Sequence, residues 1–352
     1  MGWGRPVVTF VIRRLAYSIP VLLIASILVF TFVRATEDPL SRYHQTRDLT
    51  LVAREGLKMG IYEQPCRIFT GGSPPTKVET CAKAPVAKQY WFWLSHFVQG
   101  KMGQSFVTND AVSKDLRRAL GNTIQLIFWG VLVSSLLAVL IGVYSAVRQY
   151  SALDYAFTGL SFVGLSMPPF WFGLIAIDFL SFRLQKPLGL HTAPLFSIGL
   201  HGSHSPGFFN GVLDYARHLA LPVATLTVQS VASWSRYQRS SMLDVMSSDY
   251  IRTARAKGLP RRKVIFKHAL RNALIPLVTV MAIDVGALFG GLLITEQIFS
   301  IPGMGVLFID ALQNGDTQVL LPWLMVTAVF VILFNLLADL LYGALDPRIR
   351  LA

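Results

Sequence analysis

Six apolar runs constrain this chain more than any other feature: Leu15–Val33, Ile124–Val147, Tyr155–Leu180, Leu219–Ser235, Ala273–Thr295 and Val319–Ala338. A helix rises about 1.5 Å per residue, so about twenty such residues cross about 30 Å of hydrocarbon. A soluble core has no place for six of them. The composition agrees, because 53% of the residues are apolar and only 14% charged, whereas a soluble domain carries about a quarter charged. The runs are not equally clean: Asp178 and Asp284 lie within two of them, Asp339 flanks the last, and Leu219–Ser235 is short. The expectation is an all-α integral membrane protein with six transmembrane helices in a lipid bilayer.

An even number of spans puts both termini on one side. Lys and Arg near short loops stay cytoplasmic, whereas long loops escape this bias. With the N-terminus inside, the inner segments hold Arg5, Arg13, Arg14, Arg148, ten basic residues from Arg236 to Arg271, Arg348 and Arg350, against Arg183, Lys186 and Arg217 in the short outer segments. Both termini are therefore expected in the cytoplasm. The net charge of +13 is mostly this topology signal, and no aromatic-interleaved basic groove points to nucleic acid as a partner. Arg13 and Arg14 before an apolar run loosely resemble a secretory signal, but that core is about 7 to 15 residues. The longer run here is read as an uncleaved first span. The expected division is residues 1–14 as cytoplasmic N-terminus, 15–33 as first helix, 34–121 as extracytoplasmic loop with an insert at about 36–86, and 122–352 as a five-helix core. That core contains a cytoplasmic loop at 236–272 and ends in a cytoplasmic C-terminus.

The two cysteines, Cys66 and Cys81, both fall in the outer loop, a disulfide-permissive compartment. A bridge closing a loop of this size contributes about 3 kcal/mol in the chain-entropy model; two free thiols are the alternative. Residues 36–86 read as irregular and mixed in charge. Gln89–Val98 packs five aromatics into ten residues, which suits either an interfacial belt or a protein-packed helix. His191, His201, His204 and His218 lack a companion Cys or carboxylate cluster, so no metal site is expected.

The inner loop SSDYIRTARAKGLPRRKVIFKHALRNALIP, Ser247–Pro276, reads as two helices. Ser247 or Ser248 can cap a short first helix, with Asp249 at its positive end and Lys257 at its negative end. Gly258 supplies the left-handed residue that stops it, and Pro260 suits the first turn of the next. Such a break presents a surface: Thr253, Ala254 and Ala256 permit close approach, with Arg252, Arg255 and Lys257 at the rim. Physics alone leaves open whether that surface meets a protein or rests on anionic headgroups.

This stretch resembles the EAA loop of binding-protein-dependent ABC importer permeases, in the form used by the dipeptide, oligopeptide and nickel permease family. Ala254, Gly258 and Leu270 fit the general pattern, and ARAKGL, HALRN and ALIP fit the peptide-permease variant. Arg13-Arg14, QYWFWL with GKMGQSF (89–106), SMPPFWFG (166–173), ITEQIFSIPGMG (294–305) and NLLADLLYGALDPRIRL (335–351) are similar to the family's signatures at the expected distances. The resemblance covers about 8–34 and 88–352 and leaves the cysteine-bearing insert unmatched. It implies an ABC importer permease fold with a large extracytoplasmic loop, multi-pass in a bacterial-type inner membrane. It further implies a second homologous permease, two ATP-binding subunits carrying ATP and Mg, an extracytoplasmic solute-binding protein, and a peptide-like substrate, the alternative cargo being a nickel chelate, glutathione or another small solute. Asp249, Tyr250, Arg252, Thr253, Ala254, Arg255, Ala256, Lys257, Gly258 and Leu259 would then form the coupling contact with an ATPase subunit.

No G-x-x-x-x-G-K-[ST] occurs and no nucleophile, base and oxyanion donors gather, so neither catalysis nor a cofactor is expected in this chain. A secondary transporter predicts inverted repeats, and none is visible. Asp284, an ionisable group at mid-span, is expected either to border the translocation path or to be satisfied by packing. Ser166, Met167 and Pro168 precede a second proline and should break the third span, which membranes tolerate beside a cavity; they are the other path candidates.

Overall fold

A computed structural model describes residues 4–40, 43, 49–71, 76–183, 185, 187, 195, 198–200, 202 and 208–345. The chain divides into two compact units, one of Leu15–Ala119 with Leu307–Val329, the other of Met1–Arg14, Leu120–Val306 and Phe330–Ala352.

In the first unit, helix α1 (Gly4–Thr36) is followed by α2 (Leu49–Lys58), an antiparallel hairpin of β1 (Tyr62–Gly71) and β2 (Thr76–Lys83), and α3 (Val86–Val98). Among its described residues the insert thus forms a helix and a hairpin, contrary to the irregular loop expected at 36–86. The helix forms because Val52 and Ala53 fall on one buried side while Glu55 and Lys58 pair at 2.6 Å on the other. The hairpin flanks a Gly- and Pro-rich stretch, a turn signal, and the charges of its second strand fall on alternate positions at Lys77, Glu79 and Lys83. Its register slips between Glu63 and Arg67, so residues 64–66 stand opposite the single residue Cys81. Cys81 is disulfide-bonded, and Cys66 is the other cysteine of the sequence.

The aromatic stretch becomes α3, whose inner face packs on α1. Tyr90 lies 5.5 Å from Phe30 edge-on and its hydroxyl shares a 2.7 Å hydrogen bond with Ser26, while Trp91 stays exposed. Buried Asp316 organises the far side of this unit. Its carboxylate accepts from the Ser105 hydroxyl at 2.8 Å and the Phe106 N–H at 2.6 Å, and from the Val319 N–H in the first turn of the last helix.

The second unit continues α4 (Val112–Val147) into α5 (Ala152–Ser166) and α6 (Pro169–Ala176), which ends in a wide π-type turn, Ile177–Arg183. Helix α7 (Phe208–Met246) lies among these helices. The short α8 (Asp249–Ala256) precedes α9 (Arg261–Lys263), a π-type stretch Val264–Ala269 and α10 (Leu270–Gly291). Helices α11 (Leu293–Ile298), α12 (Met304–Gln313) and α13 (Thr317–Leu345) complete the chain.

Four helices among the described residues are long and apolar enough to cross a membrane, and α5 with α6 makes a fifth if the bent pair is one span. The six runs therefore do not translate into six straight spans. The third expected span is bent by 104° between its halves. Met167 and Pro168 are extended, with ψ of 122° and 135°, because a residue before proline is pushed out of the helical region. The fourth run sits in α7, whose 39 residues are long enough, but Thr225, Thr227, Gln229, Ser230, Ser233 and Ser235 dilute its apolarity. Three of these, Thr225, Thr227 and Ser235, are buried within the protein. Close helix approach explains Gly142: a Cβ there would come within 2.8 Å of the Ser235 carbonyl oxygen.

Two polar ties fix the helix ends. Arg239 donates to Asp154 through Nε and Nη2, both at 3.0 Å, and Asp154 also accepts from the Tyr150 N–H. Glu296, fully buried, accepts from the Thr123 hydroxyl at 2.5 Å and the Gly305 N–H at 2.6 Å, so a carboxylate meets the first turn of α12 where the helix dipole favours it. At the other end, Arg14 and Asp339 pair at 2.8 Å. Asp346 and the basic C-terminal residues lie outside the described residues.

Candidate functional site

The loop after α7 folds as two helices, with the break where Gly258 predicts it. Gly258 has φ of +73°, the left-handed region that costs an L-residue its Cβ clearance. The ending is a Schellman motif. The Leu259 N–H donates to the Ala254 carbonyl at 3.4 Å and the Gly258 N–H to the Arg255 carbonyl at 2.9 Å. At the front, Ser248 occupies the cap position with extended backbone, but its side chain does not cap. Its hydroxyl instead donates back to the Val245 carbonyl at 2.5 Å, so the last turn of α7 takes the side chain that the sequence offers to α8. Pro260 stands at the cap of α9, one residue earlier than the first-turn position expected.

The two faces of α8 differ sharply. Ile251 is fully buried and Ala254 nearly so, packed with Val143 and Ala146 of α4, Met242 of α7, Val264 and Ile265 of the π-type stretch, and half-buried Leu259. Ala254 therefore faces this chain's own core, not a partner, which corrects its assignment to the approach surface. Asp249, Tyr250, Arg252, Thr253, Arg255, Ala256, Lys257 and Gly258 are exposed. Arg252 and Asp249 face each other at 3.5 Å in full solvent, where such a pair contributes little. The Tyr250 hydroxyl accepts from Asn272 at 2.9 Å, tying the outer rim of α8 to the start of α10. The result is a short basic helix, anchored on one side and open on the other, with Arg261, Arg262 and Lys263 exposed beyond it. It can dock a partner.

The family profile described as "Binding-protein-dependent transport system inner membrane component" matches residues 138–351, which include this helix and everything after it. The chain belongs to that family. Among curated proteins this transport-system component is 38% identical over 344 residues to the oligopeptide transport system permease protein AppB of Bacillus subtilis (strain 168), covering 97% of this chain and 99% of the relative. It is 34% identical over 356 residues to the dipeptide transport system permease protein DppB of Escherichia coli (strain K12), covering 97% and 98%. In fold it is similar to the inward-facing MetNI methionine ABC transporter, with a TM-score of 0.51 at 19% identity over 66% of this chain and 96% of that one.

For this inner membrane component the other candidates sit apart from α8. Asp284, half-buried in α10, accepts from the indole Nε1 of Trp234 at 2.7 Å. Trp234 is itself buried, so the carboxylate satisfies a donor of α7 and has packing as well as a charge to account for it. Ser166 is exposed and bonds back to the Phe162 carbonyl at 2.9 Å, while Met167 and Pro168 line an open hollow with Phe162, Phe170 and Trp171. Sequence reasoning missed Trp234, the Arg239–Asp154 pair and Glu296. Trp234 lies inside an apolar run and Asp154, Arg239 and Glu296 lie within a few residues of the end of one, but the partner in every case is over 45 residues away.

Proposed function

We infer that this chain is a permease subunit of an ATP-driven importer and that its cargo is short peptides. The observation that carries the reading is the likeness along 97% of the chain to proteins named as oligopeptide and dipeptide permeases. The exposed basic face of α8 supports the mechanical half of it. In this reading the chain crosses a bacterial inner membrane six times, with α7 as the fourth span and both termini cytoplasmic. It lines the path together with a second permease. Two separate subunits bind ATP and Mg, and an outer solute-binding protein delivers the peptide. ATP favours one state of the ATPase pair, and α8 passes that preference to the spans; a ligand shifts such an equilibrium only by its differential affinity for the two states.

The test joins uptake and proximity. The assembled complex, reconstituted in vesicles, should import a labelled dipeptide only with ATP and binding protein. Thr253→Cys and Ala256→Cys, both on the open face, should cross-link to an ATPase subunit. Labelling by lipid-phase probes with no cross-link to the ATPase would identify α8 as a helix resting on headgroups.

A further inference from the structure

A cavity of about 380 Å³ lies wholly within the first unit, walled by the end of α1, by α2 and α3, by the 101–104 loop and by the start of α13. Its size falls in the range of small-molecule sites, and none of the relatives' names assigns it. Its lining is chemically uneven. Phe92, Trp93 and Phe97 of α3 supply an aromatic wall, and Arg34 and Lys101 supply cations.

Among the described residues neither cation is paired with a carboxylate that lines the cavity. Glu55 is the one carboxylate among the lining residues, and Lys58 already holds it at 2.6 Å. Lys101 reaches only the neutral Gln99 side chain, at 3.1 Å. Arg34 lies over the Phe30 ring at 5.4 Å, and its Nε is buried with no hydrogen-bond partner among the described residues; Asp38 acts on it by charge alone. An anion entering the cavity would offset the charge of this half-buried guanidinium. Thr317 and Gln318 line the same space and offer a hydroxyl and a carboxamide, of which the carboxamide oxygen can accept from a peptide N–H.

We propose that this cavity binds a short peptide by its C-terminal carboxylate, held by Arg34 and Lys101, with an apolar side chain against Phe92, Trp93 and Phe97. The proposal rests on the peptide reading above and adds to it an outer waiting site on the permease itself.

The test uses the full-length chain in nanodiscs and radiolabelled alanyl-phenylalanine as the probe. Saturable binding is expected, with the C-terminal amide of the same dipeptide competing at least about tenfold less well, the scale of one lost charge-assisted hydrogen bond. Lys101→Gln, exposed and so safe for folding, should weaken binding by about the same factor, and Arg34→Gln by at least as much. Equal competition by acid and amide, unchanged affinity in Lys101→Gln, or preferential displacement by glycerol phosphate would each overturn the proposal, the last in favour of a lipid headgroup. Uptake by the wild-type complex separates the two failures. Import of the dipeptide alongside any of those results sinks only the cavity assignment, whereas no import of any peptide sinks the functional reading beneath it.

Discussion

Replacing Gly258 with valine imposes a cost that the structure isolates. At φ of +73° a Cβ added to this residue would meet nothing within 4 Å, so the chain itself presents no steric obstacle. What remains is the left-handed penalty, about 1–2 kcal/mol for an L-residue and at the upper end for a β-branched one. Spent on the Schellman ending, that shifts the ratio of closed to frayed helix ends by roughly 5- to 30-fold. Fraying releases the Leu259 N–H and draws Leu259 from the cluster it shares with Ile251 and Ala254. No span loses buried surface, so insertion and thermal unfolding of the purified permease should stay close to wild type. Co-purification of the ATPase subunits and substrate-stimulated ATP hydrolysis should fall severalfold. Gly258→Asn supplies the control, since asparagine tolerates the left-handed region and should keep most of both. Full ATPase association and full transport in the valine variant would refute the argument, because then neither the helix ending nor its open face matters to coupling.

Asp284→Leu should lower peptide uptake in vesicles while the complex still assembles, and it strands the buried Trp234 indole at a cost of about 1–3 kcal/mol; unchanged uptake with normal ATP hydrolysis leaves only packing for Asp284. Asp154→Asn and Arg239→Gln should each cut stability in detergent by about 3 kcal/mol, the low end for breaking a buried pair because Arg239 is 30% exposed. A double-mutant cycle showing additive effects would deny the pairing. Non-reducing mass spectrometry should find Cys66 bridged to Cys81, and Cys66→Ser should lower protection of the hairpin by up to about 3 kcal/mol; recovery of both as alkylatable thiols from intact membranes excludes the bridge.

Helical membrane architecture was legible because long apolar runs have few alternatives, and Gly258 was legible because few residues accept its conformation. Polarity misled where it was internal to the protein. The hydroxyl-rich middle of α7 reads as a weak span, yet Thr225 returns its proton to the Leu221 carbonyl at 2.9 Å and is buried without needing water. The hairpin was hidden for a different reason: the charges at Lys77, Glu79 and Lys83 leave its second strand without an apolar run, although they fall on alternate positions as a strand requires. Ser248 holds the cap position expected of it, but its hydroxyl donates to the Val245 carbonyl, a choice of partner that sequence cannot rank. Glu296 and Thr123 could not be paired in advance, since 173 positions separate them.

The inward face of α8 has a mechanical consequence. Ile251 and Ala254 share one apolar cluster with the ends of α4 and α7 and the approach to α10, and close-packed interiors transmit strain because they compress little. A load applied at Arg255 therefore does not bend one rod. It is divided among three helix ends at once, as a footing divides the weight of a column, so this half of the permease should respond as a plate. The stiffness of that plate then depends on residues such as Ile251 and Met242 that no docking partner touches.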